Sequence, residues 1–199
     1  MAGSVVPLKR PFYERDTEVV AFELIGKILV FRGKEGPVSG RIVETEAYLG
    51  SGDPASHAFR GPTPRNKVMF GPAGFSYVYF TYGNHHCLNF VTEKAGVPGA
   101  VLIRALEPRS GVSIMKRNRR TDDLRNLTNG PGKLTQAVGI SREQSGIDLT
   151  GENFCVSAEN PGAFVHIQPA TRIGISRARE RLLRFYEKDS LFISVLRKE

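Results

Sequence analysis

No stretch of this 199-residue chain carries the roughly 18–20 consecutive apolar residues that a bilayer-spanning helix needs. Its longest apolar runs, such as residues 28–31, have the length of strands. The first residues, Met1-Ala2-Gly3-Ser4, have neither the positive charge nor the apolar stretch of a secretion signal. Cysteine is scarce, and Cys87 and Cys155 supply neither a disulfide framework nor a zinc-binding spacing. These absences exclude a stapled secreted scaffold and give a reduced, intracellular setting as the simplest expectation. Repeats, low-complexity tracts and convincing linkers are also missing, so the expectation is one domain over residues 1–199. A chain of this length buries roughly 70% of its unfolded surface and builds a core without staples. Hydrophobic residues at 40% and charged residues at 24% are ordinary for a folded protein, which excludes disorder and collagen-like repeats.

Positive charge is what the chain has in excess. Twenty-eight Lys and Arg against 20 Asp and Glu leave a net charge of +8. A basic domain favours a polyanionic partner, most often nucleic acid, and the plain alternative is a generic basic surface. One group of cations, Arg65 and Lys67, sits in Thr63-Pro64-Arg65-Asn66-Lys67, where a hydroxyl and an amide add capacity for phosphate contact. A second group comprises Lys116, Arg117, Arg119, Arg120 and Arg125. Either group suits phosphates or a solvated face, and phosphate contact makes binding steeply salt-dependent.

Asp16 is a suitable N-cap for a helix over residues 17–25, Glu18 suits its dipole, and Gly26 stops it. The run KILVFR (27–32) predicts a strand that residues 33–36 turn back into a long strand over 38–49. Strands over 75–81 and 86–92 flank Tyr82-Gly83-Asn84, whose Gly-Asn pair signals a hairpin. A strand over 99–106 and short helices over 111–119 and 132–138 follow, and residues 172–175 and 191–196 read as late strands. Strands joined by hairpins with helices outside them give an α+β fold with a mostly antiparallel sheet.

The segment around Glu44 and Glu46 is the most unusual in the chain. In an extended strand Ile42, Glu44, Glu46 and Tyr48 share a face, with the carboxylates about 6–7 Å apart. Such a pair beside a tyrosine can hold and activate a water, or it can be a solvated edge that discourages aggregation. Residues 75–86 pack five aromatic rings and two histidines into twelve positions. A core hairpin accounts for the strand rings but leaves Tyr82, beside Gly83, where a turn pushes the ring outward. An outward ring on a basic protein suits stacking on bases or wedging between them. Asn89 stands mid-strand, where Asn is disfavoured, and its buried amide needs partners from a purine edge or a turn. His57, near Asp53 in the loop over 51–60, is a lone histidine of a kind more often structural. His85 and His86 lack further ligands at a useful spacing, so no metal site is expected.

Six segments, taken in order, carry a resemblance. RIVETEAYLG (41–50), TPRNKVMF (63–70), YVYFTYGNHHCLN (77–89), VLIRALEP (101–108), NGPGKLTQA (129–137) and LLRFY (182–186) resemble the motifs of the alkyladenine, or 3-methyladenine or methylpurine, DNA glycosylases. The resemblance spans most of the chain and implies a single mixed domain with a curved, mostly antiparallel β-sheet, flanking helices and a protruding β-hairpin. It implies removal of 3-methyladenine, 7-methylguanine, hypoxanthine or ethenoadenine by hydrolysis of the N-glycosidic bond, leaving an abasic site for base excision repair. Glu46 matches the general base that activates water, and Arg104 the residue beside it that holds water and backbone. Tyr48, His57 and Tyr79 match the residues that enclose a flipped base, and Asn89 the amide that hinders guanine. Tyr82 matches the ring that fills the vacated space, with Gly83 and Asn84 beside it at the DNA and Arg65 and Lys67 as further contacts.

No lysine-centred motif of strand-cutting enzymes is present, so a monofunctional hydrolase is expected, needing no cofactor. The expected partner is double-stranded DNA with damaged purines, met by a monomer away from membranes. The short chain suits a cytoplasmic bacterial member. Asn84-His85-His86 is more polar than the matching stretch in many vertebrate members, which bears on how firmly the hairpin intercalates. Two alternatives differ in class: a damaged-DNA recognition module without catalysis, and an RNA-acting hydrolase. The first gives no reason to set a carboxylate such as Glu46 beside an anionic backbone.

Overall fold

Strand β2 (Gly36–Tyr48) organises the sheet in the computed structural model, which describes residues 5–81, 83, 85–157 and 165–194. It is the second arm of a hairpin with β1 (Ile28–Gly33), and a two-residue loop separates the paired Gly33 and Gly36. Gly36 takes φ 121°, a backbone conformation that side-chain-bearing residues avoid, which allows so tight a reversal.

Both edges of β2 are paired. β5 (Ala100–Ser110) runs along one edge, while β1 and then β8 (Arg184–Glu187) share the other. Beyond β5 lie β4 (His85–Val91) and β3 (Ser76–Thr81), beyond β1 lies β6 (Phe154–Ser157), and β7 (Ile167–Ala170) pairs with β8. Every strand pairing is antiparallel. Gly83, at φ 71°, stands exposed between β3 and β4, and the expected hairpin residues Tyr82 and Asn84 lie outside the described residues.

Among the described residues four α-helices complete the mixed α+β architecture: α1 (Arg10–Tyr13), α2 (Thr17–Leu24), α3 (Val112–Arg119) and α4 (Pro131–Val138). Asp16 caps α2 by accepting from the Glu18 and Val19 amides at 2.9 and 3.1 Å. The helix buries Val20, Ala21 and Leu24 and packs on β2 and β5. α4 buries Leu134, Ala137 and Val138 and packs on β4, β5 and α3.

The structure departs from the sequence expectations in two places. Residues 172–175 form no strand, because Arg172 turns inward and spends its guanidinium on the Ala47 carbonyl and Asp53. Residues 191–194 are also irregular, with 195 and 196 outside the described residues, and the late strands are β7 and β8 instead. Residues 42–47 of β2 are all buried. Thr45 donates to the Ala21 carbonyl on the α2 side, while Glu44 and Glu46 meet residues 173 and 194 of the C-terminal segment. A strand covered on both faces excludes the solvated-edge alternative.

Ile103 pairs across the sheet with Thr45 and has no exposed surface. Replacing it by Ala should cost about 2–5 kcal/mol in chemical denaturation. A loss below about 1 kcal/mol would mean that this part of the sheet repacks freely.

Candidate active site

Two irregularities in the β2–β5 pairing build the centre of the site. Ile42 pairs with Leu106, Glu44 with Ala105 and Thr45 with Ile103, so Val43 is an extra residue on β2 and Arg104 an extra residue on β5. Bulges of this kind re-aim side chains. Here they bring the Arg104 guanidinium between two carboxylates: Nε donates to Glu44 Oε1 at 3.2 Å, and Nη1 stands 3.3 Å from Glu46 Oε1. Glu44 and Glu46 both have no exposed surface.

The C-terminal segment supplies the remaining partners. The Ile173 amide donates to Glu46 Oε1 at 2.7 Å, and the Tyr48 hydroxyl donates to Glu46 Oε2 at 2.8 Å. Arg184 Nη1 and the Ser194 amide and hydroxyl converge on Glu44 at 3.0, 2.6 and 2.8 Å. Burial pushes the Glu46 carboxyl above the ordinary glutamate range and the Glu44 charge adds to it, against the opposing Arg104 charge and the Ile173 and Tyr48 hydrogen bonds. Burial and the Glu46 charge also raise the Tyr48 phenol, which stays neutral and donates.

A separate buried ion pair holds the segment down. Arg172 Nη1 and Nη2 donate to Asp53 at 2.5 and 2.8 Å, and Nη1 also reaches the Ala47 carbonyl at 3.0 Å. Burial pushes Asp53 upward, but the Arg172 hydrogen bonds and charge outweigh it and leave the carboxyl below its ordinary range. The Arg172 guanidinium lies 4.8 Å from the centre of the Tyr48 ring.

Next to Tyr48 lies a cavity of about 20 Å³, bordered by Tyr48, His57, Met69, Tyr77, Tyr79 and Asn89. That volume holds about one water. The His57 and Tyr79 rings meet edge to face at 4.6 Å, and His57 Nδ1 is 3.0 Å from the Tyr77 hydroxyl. Burial against these rings and the nearby Arg65 charge lower the His57 pKa, so the imidazole is neutral near pH 7. Asn89 Nδ2 donates to the Tyr77 and Cys87 carbonyls at 3.1 and 3.4 Å. A flipped amide would face two carbonyls with its oxygen, so the orientation is fixed.

The outer rim is basic. Arg65 and Lys67 are exposed, with Arg65 5.1 Å from the Tyr79 ring centre and donating to the Phe80 carbonyl at 3.3 Å. A groove of about 470 Å³ beside His57 is bordered by Ser56, Arg60, Thr63, Ser176 and Arg177. Arg60, Arg65, Lys67 and Arg177 have no ion-pair partner among the described residues.

The chain thus gathers Glu46, Tyr48 and Arg104 at one centre, with His57, Tyr79 and Asn89 around the adjoining cavity. Tyr82 and Asn84 lie outside the described residues. The Thr63 hydroxyl and the buried Asn66 amide are not free for phosphate, contrary to expectation. Asn66 Oδ1 accepts from Thr63 N and Oγ1 at 2.5 and 2.9 Å, and its Nδ2 donates to the His57 carbonyl at 2.7 Å. In the second basic group, Lys116 and Arg117 are paired with Asp122 and Glu35. Tyr77 belongs to the cavity wall, and the spacing Tyr77, Tyr79 on one strand face was the signal for it. Nothing local marks Arg172, Arg184 or Ser194, whose roles depend on bonds to Asp53 and Glu44, all more than a hundred residues away in the chain. Among the described residues no group of three or more His, Cys, Asp or Glu is placed to hold a metal ion, and no helix is long and apolar enough to cross a membrane.

A family model described as Methylpurine-DNA glycosylase matches residues 11–191. A protein of Prosthecochloris aestuarii is 50% identical over 186 residues, covering 93% of this chain and 89% of that one. One of Methanoculleus marisnigri is 50% identical over 190 residues, with 94% and 98% covered. One of Clostridium acetobutylicum is 45% identical over 204 residues, with 96% and 99% covered. Each bears the name "Putative 3-methyladenine DNA glycosylase".

The Asp53–Arg172 pair makes a prediction about pH. Because the folded Asp53 is held below its unfolded value of about 3.9, its contribution is full above that value and is lost as pH falls through the lower, folded one. Thermal melts should show Asp53→Asn less stable at neutral pH by about 3–5 kcal/mol, since Arg172 is left buried and uncompensated. The difference from wild type should narrow below about pH 4. A gap that stays constant across that range would remove the ion pair from the account.

Proposed function

The chain belongs to the methylpurine-DNA glycosylase family, and we propose that it hydrolyses damaged purines from duplex DNA with Glu46 as the general base. The observation that carries the reading is Glu46 itself. It is a fully buried carboxylate with raised proton affinity, joined through the Tyr48 hydroxyl to the edge of an aromatic cavity. A base inside a duplex is out of reach, so the purine is flipped out at a cost of a few kcal/mol. The unpaired cations at the rim suit the backbone phosphates. Tyr82 takes the space the base leaves and offsets part of the lost stacking.

The flipped purine stacks among Tyr48, His57 and Tyr79, and these walls part to admit it, since about 20 Å³ is too little for a purine. Glu46 takes a proton from water as the water oxygen bonds to C1′. The glycosidic bond breaks and its electron pair leaves with the base, giving an abasic site. The carboxylate also stabilises the positive charge that grows at C1′, as in the hydrolysis of sugar acetals. Arg104 holds Glu46 and the water in place. 3-Methyladenine and 7-methylguanine already carry positive charge and leave as neutral bases, while hypoxanthine and ethenoadenine are neutral and need more help. Asn89 excludes guanine, because an amide tied to two carbonyls cannot turn aside from an exocyclic amino group.

Single-turnover release from a duplex with one hypoxanthine, in EDTA, tests the reading. Wild type should leave an alkali-labile abasic site. Glu46→Gln should lose at least about 100-fold in rate while still binding the duplex. Activity needs the ionised carboxylate, so the wild-type rate should fall as pH drops through a midpoint above the ordinary glutamate value of about 4.3. Strong residual turnover by Glu46→Gln would take it out of the mechanism. In a separate assay, Asn89→Ala should make excision of undamaged guanine measurable. Guanine left untouched by that variant would assign its exclusion to another group.

A further inference from the structure

Glu44 does not border the aromatic cavity, yet four donors converge on it: Arg104 Nε, Arg184 Nη1 and the amide and hydroxyl of Ser194. The consequence falls on Arg104. With Nε on Glu44 and Nη2 donating to Ser194 Oγ at 3.2 Å, only Nη1 faces Glu46, at the long distance of 3.3 Å. The same molecule shows the opposite arrangement at Asp53, which one arginine grips through both oxygens at 2.5 and 2.8 Å. A two-pronged grip of that kind is the strong form of the pair, and it makes a carboxylate a poor proton acceptor.

We propose that Glu44 is a positioning residue: it holds Arg104 by its Nε edge and prevents that arginine from closing on Glu46, which stays available for the proton of water. The inference rests on the reading of Glu46 as the base. Glu44 never touches water or the sugar. Arg184 and Ser194 anchor it from the C-terminal segment, so that segment sets the basicity of a residue on β2.

The groups that face Glu46 are Glu44 and Tyr48 on β2, Tyr79 on β3, Cys87 on β4, Arg104 on β5 and Arg172 in the C-terminal segment. Glu44 is the one other carboxylate among them. Removing its charge and freeing Arg104 act in the same direction, and both lower the proton affinity of Glu46. The acid limb of the pH–rate profile should therefore move to lower pH. The plateau should fall too, because a weaker, displaced base accepts the proton less readily. A variant that is merely less well folded lowers the plateau and leaves the limb in place.

The test is single-turnover hypoxanthine release over the acid limb, using wild type, Glu46→Gln, Glu44→Gln and Ser194→Ala, with circular dichroism to establish folding. Glu44→Gln should lower the plateau about tenfold or more and move the limb to lower pH. Ser194→Ala removes one hydrogen bond from each of Glu44 and Arg104 and should do both to a lesser degree, with a plateau roughly threefold lower. It carries the test alone if Glu44→Gln does not fold. An unmoved limb in the folded variants overturns the proposal, whatever happens to the plateau. No release by wild type, or full release by Glu46→Gln, overturns the reading beneath it instead.

Discussion

The charged side chains buried in the described part of this protein balance one another in two adjacent groups, Glu44, Glu46, Arg104 and Arg184 in one and Asp53 with Arg172 in the other. Glu44, Glu46 and Asp53 face Arg104, Arg172 and Arg184, three charges of each sign. Taking any one of these from water costs several kcal/mol, and only close partners of opposite sign bring that cost back. Equal numbers are therefore a condition for the fold and not an ornament of the site. The condition also explains why the C-terminal segment packs where it does. It brings Arg172 and Arg184, without which β2 and the loop after it would hold three buried carboxylates against one guanidinium.

Within that balance the two groups differ in a way that matters for chemistry. Asp53 is matched to a single arginine through both oxygens and sits below its ordinary range, the state of a structural tether. Glu46 shares its arginine with Glu44 and takes its other hydrogen bonds from a phenol and a backbone amide. Neutral donors satisfy its oxygens without supplying a full countercharge, so burial prevails and its proton affinity rises. A buried carboxylate of that kind is expensive for stability, and perturbed groups of this sort gather at functional sites.

The sheet is largely legible in the sequence because its signals are local. KILVFR and the glycines at 33 and 36 give the first hairpin, and Asp16 and Gly26 bracket α2. Glu44 and Glu46 are conspicuous as acids in a strand. Their burial is not readable there, because it depends on what covers both faces of β2, and that includes residues 173, 184 and 194. The bulge that turns Arg104 inward is equally hidden, being a property of two strands in register and of neither alone. Asn66 misleads for a related reason. A polar residue between two cations reads as a phosphate ligand, yet its amide is spent inside its own loop.

That use of Asn66 constrains how the cavity opens. The loop carrying His57 is tied on one side through Asp53 to Arg172, and on the other by the bond from Asn66 Nδ2 to the His57 carbonyl at 2.7 Å. With the backbone held at both flanks, the loop has little freedom to lift as a lid. The His57 residue keeps solvent exposure although its ring packs against Tyr77 and Tyr79, and among the described residues the one polar tie of its side chain is the 3.0 Å contact with the Tyr77 hydroxyl. Breaking one such bond costs about 0.5–1.5 kcal/mol, and an exposed side chain changes rotamer in picoseconds to nanoseconds. If the proposed function holds, opening is a side-chain event, small beside the few kcal/mol needed to unstack a purine. On the proposed reading the wall yields to the base while the carboxylates and guanidiniums beneath it, held by their ion pairs, keep their positions.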